Sequence, residues 1–336
     1  PTVNVILVSG NARTELQEKG QLAVTRVSTW CNRKKLSLSA EKTEMLLVKG
    51  KLDIERPPII KINNRSIKMT DTIKYLGVHL EKGLKINRHV KETTGKCQKL
   101  FNSLARVAKT KWGLGHAAMS TLYKGLFEPI TTYAAAGWSD LLNGKTRNVL
   151  IRAQRMALLQ VTKAYKTTST EALQVIAGTM PIDLLIEVRT RAYKKKRGLD
   201  EETDQRAIIR EAIGKWQERW QATPKGRTTF QYFSKVKDRL ESRWVKPDHY
   251  MTQFISGHGD FNGKLKTFCL SEVDTCDCGE TETPHHIIES CPLFNEERGK
   301  MRRAIQELDL QWPEEKWEFV KKDVYPHFLQ FARSVL

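Results

Sequence analysis

No run in this 336-residue chain is apolar enough for long enough to cross a bilayer, and no basic amphipathic terminal helix would lay it on one. No secretory signal is visible either. Cysteine is scarce. There are six, and Cys31, Cys97 and Cys269 stand singly, which excludes a disulfide framework and suits reduced thiols. Acid is short as well, 38 Asp and Glu against 57 Lys and Arg, leaving a net charge of +19. A surplus that large repels itself in a compact state unless the working partner is a polyanion. Nucleic acid is the first candidate and an anionic membrane the second, which the missing membrane segments disfavour. Also missing is a tight Asp/Glu/His set that would organise a nuclease metal. Asp248, His249, His258 and Asp260 come nearest, and they read as loop and turn residues beside Gly257 and Gly259. What remains, 40% hydrophobic and 28% charged, is the composition of an ordinary soluble globular protein with length for two or three domains.

Against this background the segment TCDCGETETPHHIIESCPLF stands out. Cys276, Cys278 and Cys291, with His285 or His286 between them, gather four soft or borderline donors within sixteen residues. Zinc takes a tetrahedral set of thiolate and imidazole, and short loops between ligands lower the entropy cost of assembling it. Gly279, directly after the second of these cysteines, lets the chain turn back tightly. With every coordination position filled by protein, such a metal is a fold staple and not a catalyst. Buried cysteines beside a surface histidine are the plainer alternative.

Residues 3–8 are apolar and β-branched, a strand candidate ending at Ser9-Gly10-Asn11. Residues 14–35 carry helical spacing with Leu16, Ala23, Val27 and Trp30 on one face, and 36–48 alternate like a strand around Lys42-Thr43. Residues 57–80 read as short strands with an Asn63-Asn64 turn. From 87 to 199 the pattern is helical, with breaks expected at Gly113–Gly115, Pro129, Gly144 and Pro181. Residues 141–170 hold six basic residues and no acidic one. Val149, Ala153, Met156 and Ala157 are expected to gather on one helical face there, with Arg147, Arg152 and Arg155 pointing elsewhere. Arg191 to Arg197, including Lys194, Lys195 and Lys196, adds five cations in seven residues. Both runs suit phosphate contact, although a solvated helix face has the same signature. Trp216 and Trp220, four apart on a helix, read as a packing stripe.

Several of these blocks together resemble the reverse transcriptase of non-LTR retrotransposons, in particular the insect type-1 elements that insert into ribosomal RNA genes. WCNRKKLSLSAEKTEMLLVKG, from Trp30, resembles the end of the polymerase palm with its Leu-x-Leu-x-x-x-Lys-Thr block. IKYLGVHLEKGLKINRHV, from Ile73, resembles the primer-grip strands. The helical stretch 90–198 is similar to the thumb and the segment beyond it, and the tail with CDCGETETPHHIIESCP to the cysteine–histidine region that closes such polyproteins.

The resemblance implies an α+β fold in three parts: palm end with primer grip over 1–86, helical thumb and connection over 87–199, and a mostly helical nucleic-acid-binding region over 200–336. It selects His286 as the fourth ligand beside Cys276, Cys278 and Cys291, with structural Zn²⁺. It gives Lys42 a role in protonating departing pyrophosphate, where a cation beside developing negative charge is apt. A lysine on a strand edge is the alternative. It makes Tyr75, Leu76 and Gly77 the primer grip, Gly77 permitting close backbone approach, with a buried strand and bulge as the plain alternative. Arg147, Arg152, Arg155, Lys194, Lys195, Lys196 and Arg197 would track nucleic-acid backbone.

The expected function is part of an RNA-directed DNA polymerase working by target-primed reverse transcription, in a polyprotein that also carries endonuclease activity. Its partners would be RNA template, DNA target or primer, and the rest of the polyprotein, in the nucleus after cytoplasmic synthesis, with no membrane partner. The family's Tyr-Ala-Asp-Asp turn, aligned on Val8-Ser9-Gly10, falls on Pro1-Thr2-Val3-Asn4, which offers no carboxylate. Two-metal nucleotidyl transfer needs aspartates to hold Mg²⁺. The chain, which starts at Pro1 inside an apolar strand pattern, is therefore expected to be the downstream piece of a longer protein, inactive alone. A non-catalytic nucleic-acid-binding protein derived from such an element is the other reading.

Overall fold

The computed structural model describes residues 5–48, 56–105, 113–199 and 204–336. Helices dominate and the strands are few and short, so the class is mixed α+β and helix-rich. The chain forms two compact units, residues 1–92 and 93–336, with the boundary inside the Asn87–Ala105 helix.

In the first unit the Arg13–Arg33 helix lies on the strand segment around residues 59–62. Its inward stripe is Gly20, Val24 and Cys31, with Leu16 and Val27 half-buried beside them. Trp30 is 53% exposed, because the buried stripe runs one position round from the one expected. Gly20 is required where it stands: a Cβ there would meet Ile60 Cδ1 at 2.5 Å. Glutamines complete the docking. Gln21 accepts from the Lys61 amide at 2.9 Å and donates to the Lys61 carbonyl at 3.0 Å, while Gln17 accepts from the Ile59 amide at 3.0 Å. Val24, Ile60, Ile62 and Ile67 form the small core.

Three two-stranded ladders are described in this unit. Lys61–Ile62 pairs antiparallel with Arg65–Ser66 across Asn63-Asn64, both at positive φ, the twist-matched hairpin turn that the Asn pair signals. Thr72–Tyr75 pairs antiparallel with Val78–Glu81 across Leu76-Gly77, and Glu44–Met45 pairs parallel with Lys68–Met69. The strand expected at 3–8 does not form over 5–8. That stretch has no ladder partner among the described residues, and Leu7 is 93% exposed. Val3 and Asn4, aligned above with the catalytic carboxylates, lie outside the described residues.

In the second unit the Gly144–Thr162 helix packs against the His116–Leu122, Thr170–Ala177 and Ile182–Lys196 helices. It starts where Asn143 caps it: Asn143 Oδ1 accepts from the Thr146 amide and Thr146 Oγ1 accepts from the Asn143 amide, each at 3.0 Å. Its inward face is Leu150, Ala153, Gln154, Ala157, Leu158 and Val161. Of the apolar face read from the sequence, Ala153 and Ala157 are buried while Val149 and Met156 are 39% and 42% exposed. The stripe was centred on two apolar side chains that share the outer face with Arg152.

Pro129 does not break the chain. The His116–Leu122 helix passes through a π-helical turn at Tyr123–Phe127 into Glu128–Thr131, and the widened turn accommodates the missing amide. Pro181 and Gly144 do sit at helix starts. One continuous core then joins Val175, Ile176 and Leu184 to Trp216, Trp220, Tyr232, Phe254, Ile288, Ile305 and Phe328. The two tryptophans are 2% and 1% exposed and serve packing. No described helix is long and apolar enough to cross a membrane.

Candidate metal centre

Residues 274–282 fold back on themselves. The Cys276 amide donates to the Glu280 carbonyl at 2.7 Å, the Gly279 amide to the Cys276 carbonyl at 2.8 Å, and Thr275 bridges Thr281. Gly279 has φ +96°, which a side chain would strain. This knuckle presents Cys276 and Cys278 on one side. Thr283 then caps the Pro284–Glu289 helix, its Oγ1 accepting from the His286 amide at 3.1 Å, with Pro284 in the first turn where its missing amide costs nothing. His286 thereby faces the knuckle. The chain turns out of the helix through Ser290, and the Cys291 amide donates to the His286 carbonyl at 2.9 Å.

The four donor atoms lie within 4.8 Å of one another. Cys276 Sγ is 3.7 Å from Cys291 Sγ, which in turn is 3.9 Å from Cys278 Sγ, and Cys278 Sγ is 3.1 Å from His286 Nε2. Zinc–sulfur bonds of about 2.3 Å in a tetrahedron place sulfurs about 3.8 Å apart, so the sulfur edges fit a zinc-sized ion. They are far too long for a disulfide, and all six cysteines carry free thiols. His285 is exposed while His286 is 8% exposed, which decides between the two imidazoles. Burial, assisted by the neighbouring Cys291 and Cys278, pushes the Cys276 thiol up to about 11. The Cys276 thiol therefore resists ionisation on its own, and a dication is the kind of partner that would make its thiolate favourable there.

Supporting groups not singled out in the sequence complete the centre. His286 Nδ1 lies 3.2 Å from Ser290 Oγ, leaving Nε2 for the metal side. Arg298, 5% exposed, donates to the carbonyls of Ile288 at 2.8 Å, Ile287 at 3.1 Å and Cys291 at 2.6 Å. The Thr-Pro pair was a readable helix-start signal. Arg298 had none, being one cation among many.

Among the described residues this is the one group of three or more His, Cys, Asp and Glu side chains brought within metal-binding reach. Asp248 instead caps the His249–Ser256 helix and pairs with Arg333 at 2.7 Å. His249 Nδ1 meets the Lys163 carbonyl at 3.0 Å, and Asp260 accepts from the Tyr165 hydroxyl at 2.6 Å.

The other residues read from the sequence are spread out. Lys42 is exposed in the turn before Glu44, its amide 3.3 Å from Ser39 Oγ, and not on a strand edge. Tyr75 ends one strand, and Leu76-Gly77 is the exposed hairpin turn, both at positive φ, which replaces the buried bulge. Arg147 lies 3.9 Å from Asp183 and Arg152 is exposed. Arg155 is half-buried and clamps the following loop through the carbonyls of Thr168 at 2.6 Å and Lys166 at 2.5 Å. Lys194 pairs with Asp140 at 3.2 Å, Lys195 is half-buried, and Lys196 and Arg197 are exposed at the helix end.

Fold and site together define a helix-rich α+β protein with a Cys₃His group whose donor atoms are placed to hold a metal ion. Comparison with known proteins gives the family. The chain is 33% identical to a Retrovirus-related Pol polyprotein from type-1 retrotransposable element R1 4 of Nasonia vitripennis, over 88% of this chain and 83% of that one. It is 31% identical to the R1 Pol polyprotein of Bradysia coprophila, over 87% of this chain and 31% of that one. A putative 115 kDa protein in the R1DM element of Drosophila melanogaster is 30% identical, over 92% and 32% respectively. The chain belongs to the Pol polyproteins of R1-type type-1 retrotransposable elements, and it spans about a third of the two longer relatives. No family model and no solved structure matches it.

Proposed function

We propose that this chain is the palm-end, thumb and C-terminal part of a retrotransposon RNA-directed DNA polymerase, and that it holds the template–primer and binds nucleic acid. The observation that carries the reading is its relationship to R1 Pol polyproteins along most of its length, joined to a net charge of +19. Phosphate contacts give affinity without sequence choice, which is what a template–primer clamp requires. Cys276, Cys278, His286 and Cys291 hold a structural Zn²⁺ that staples the C-terminal region. The Leu76-Gly77 hairpin presents its backbone to the primer and Lys42 assists pyrophosphate departure. Mg²⁺ belongs to carboxylates of the polymerase that this chain does not supply. The site of action is the nucleus, on chromosomal DNA.

The test is binding of RNA and DNA oligonucleotides by the whole chain as a function of salt. Each phosphate neutralised releases counterions, so the logarithm of affinity should fall steeply and linearly with the logarithm of salt concentration. Affinity that barely changes between low and physiological salt removes the phosphate-tracking role. Loss of template–primer extension by the full polyprotein when Lys42→Ala or Gly77→Val is introduced tests the polymerase part.

A further inference from the structure

The outward side of the Arg13–Arg33 helix carries chemistry that its packing does not use. Between Glu18 and Glu41 the chain holds five cations, Lys19, Arg26, Arg33, Lys34 and Lys35, and no acid. Lys19 is taken by Glu15 at 2.6 Å, and Glu41, just past the stretch, is taken by Arg65 at 3.0 Å. The other four cations are exposed. Among the described residues none of their side chains joins an ion pair or a hydrogen bond.

Trp30 stands among them. The buried stripe through Gly20, Val24 and Cys31 turns its ring outward, 53% exposed. Helical spacing gathers the cations around it: Arg26 lies four residues before, Arg33 three after and Lys34, on which the helix ends, four after. Residues so spaced are neighbours on one face, with Cβ atoms about 5–6 Å apart. Thr25 and Thr29 spend their hydroxyls within the helix, on the carbonyls of Gln21 at 2.8 Å and Thr25 at 2.9 Å. The negative end of the helix dipole accounts for Arg33 and Lys34. It does not account for Arg26 two turns earlier, nor for a large ring left half in water, which forgoes the gain of burying it. A protein partner would have to bring acid for several cations and an apolar surface besides, whereas a nucleotide carries a flat apolar face and a negative charge in one unit.

We propose that this face binds single-stranded nucleic acid, with one base stacked on Trp30 and the flanking phosphates on Arg26, Arg33 and Lys34. The proposal rests on the nucleic-acid reading above and adds a contact outside the residues named there. The strand is single because paired bases keep their faces inside the stack, where an indole on a helix surface does not reach them. Every base has a π-face, so the stacking carries no sequence choice, and the cations meet the backbone of RNA and DNA alike.

The experiment uses the whole chain with zinc supplied, labelled with fluorotryptophan, and three probes: a short oligouridylate, the matching oligodeoxythymidylate and a DNA duplex of equal length. The fluorine resonance that Trp30→Phe removes should shift when either single strand binds, while those of the buried Trp216 and Trp220 stay in place. Trp30→Ala should cost at least about fivefold in single-strand affinity. Trp30→Phe, which keeps a ring, should retain most of that affinity, and the duplex should lose nothing in either variant. Arg33→Gln should lower the log–log salt slope by about 0.7 for both single strands. Parental affinity in Trp30→Ala, in a chain that still binds oligonucleotide with a steep salt dependence, overturns this face and leaves the broader reading standing. A chain that binds no oligonucleotide at any salt ends the broader reading and this one with it. Duplex affinity that falls as far as single-strand affinity in Trp30→Ala overturns the assignment to single strands. In the full polyprotein, a Trp30 resonance that no oligonucleotide moves overturns it too, since another segment then covers the ring.

Discussion

Among the described residues of this cationic chain, two arginines are buried. Arg239, 4% exposed, donates to the Ile176 carbonyl at 2.6 and 3.2 Å and to the Val245 carbonyl at 3.2 Å, and burial draws its guanidinium down to about 10. Arg298 does the same for Ile287, Ile288 and Cys291. Each cation thus collects carbonyls at the C-terminal end of a short helix, where the dipole is negative and the carbonyls lack partners. Gln154 plays the uncharged version. Fully buried, it donates to the Tyr123 hydroxyl at 2.9 Å and the Met180 carbonyl at 2.8 Å, and accepts from Gln174 at 2.9 Å and the Ile182 amide at 3.1 Å. Removing Arg298 strands three buried carbonyls. Arg298→Ala should therefore destabilise the chain by about 2–4 kcal/mol and weaken metal retention together. Arg298→Lys should recover only part of this, because an ammonium donates from one point, whereas the guanidinium reaches the three carbonyls from both Nε and Nη2. Urea unfolding and competition with a chromophoric chelator measure the two effects. A variant that unfolds at the parental midpoint and holds metal normally would show that the carbonyls re-pair without help.

At the scale of the element, the Cys/His group shows where a metal would staple a small piece of chain. Between residues 274 and 294 the regular structure is a knuckle, a six-residue helix and one 3₁₀ turn, too little to stand without a staple. The expectation is one zinc per chain by metal analysis. Cys278→Ser or a strong chelator should remove it and open this segment to proteolysis, while the buried core around Trp220 and Phe328 persists. Metal-free protein with an unchanged cleavage pattern would argue that Arg298 and Ile288 suffice. The gathering of these donors was legible in their dense spacing, and the Asn63-Asn64 turn because its local chemistry decides it. The rest depended on distant chain. Val149 and Met156 are apolar yet outward, since helical spacing marks a stripe but not its centre. Trp30 is displaced from the core for the same reason, and the buried line through Gly20 is set by Ile60, forty residues on. Pro129 signals a break only if the helix cannot widen into a π turn.

For the whole molecule, pH is the variable that reads the buried imidazoles. His116 donates from Nδ1 to the Val161 carbonyl at 3.1 Å, since a carbonyl can only accept, and its Nε2 lies 3.3 Å from Ser120 Oγ. Burial first, then Arg239, holds it down to about 4, and His258 is lowered to about 4 by burial, Lys264 and Arg155. Both imidazoles are therefore neutral in the folded chain across a range where the unfolded chain, with His near 6.5, takes up protons. The stability they leave intact is fully present above about pH 6.5 and is lost as pH falls from there towards 4, since the unfolded state binds more protons in that window. His116 alone should account for a loss on the order of 2 kcal/mol. A metal held by the Cys/His group would also be released in acid, so total stability cannot separate the two causes. The slope can. His116→Gln keeps a donor for the Val161 carbonyl but cannot titrate, and it should flatten the dependence of unfolding free energy on pH between 6.5 and 4.5 relative to the parent, with the metal site untouched. If parent and variant lose stability in parallel through that window, His116 is protonated in the folded chain as readily as in the unfolded one. The burial that holds this ring neutral would then be less complete than the structure implies.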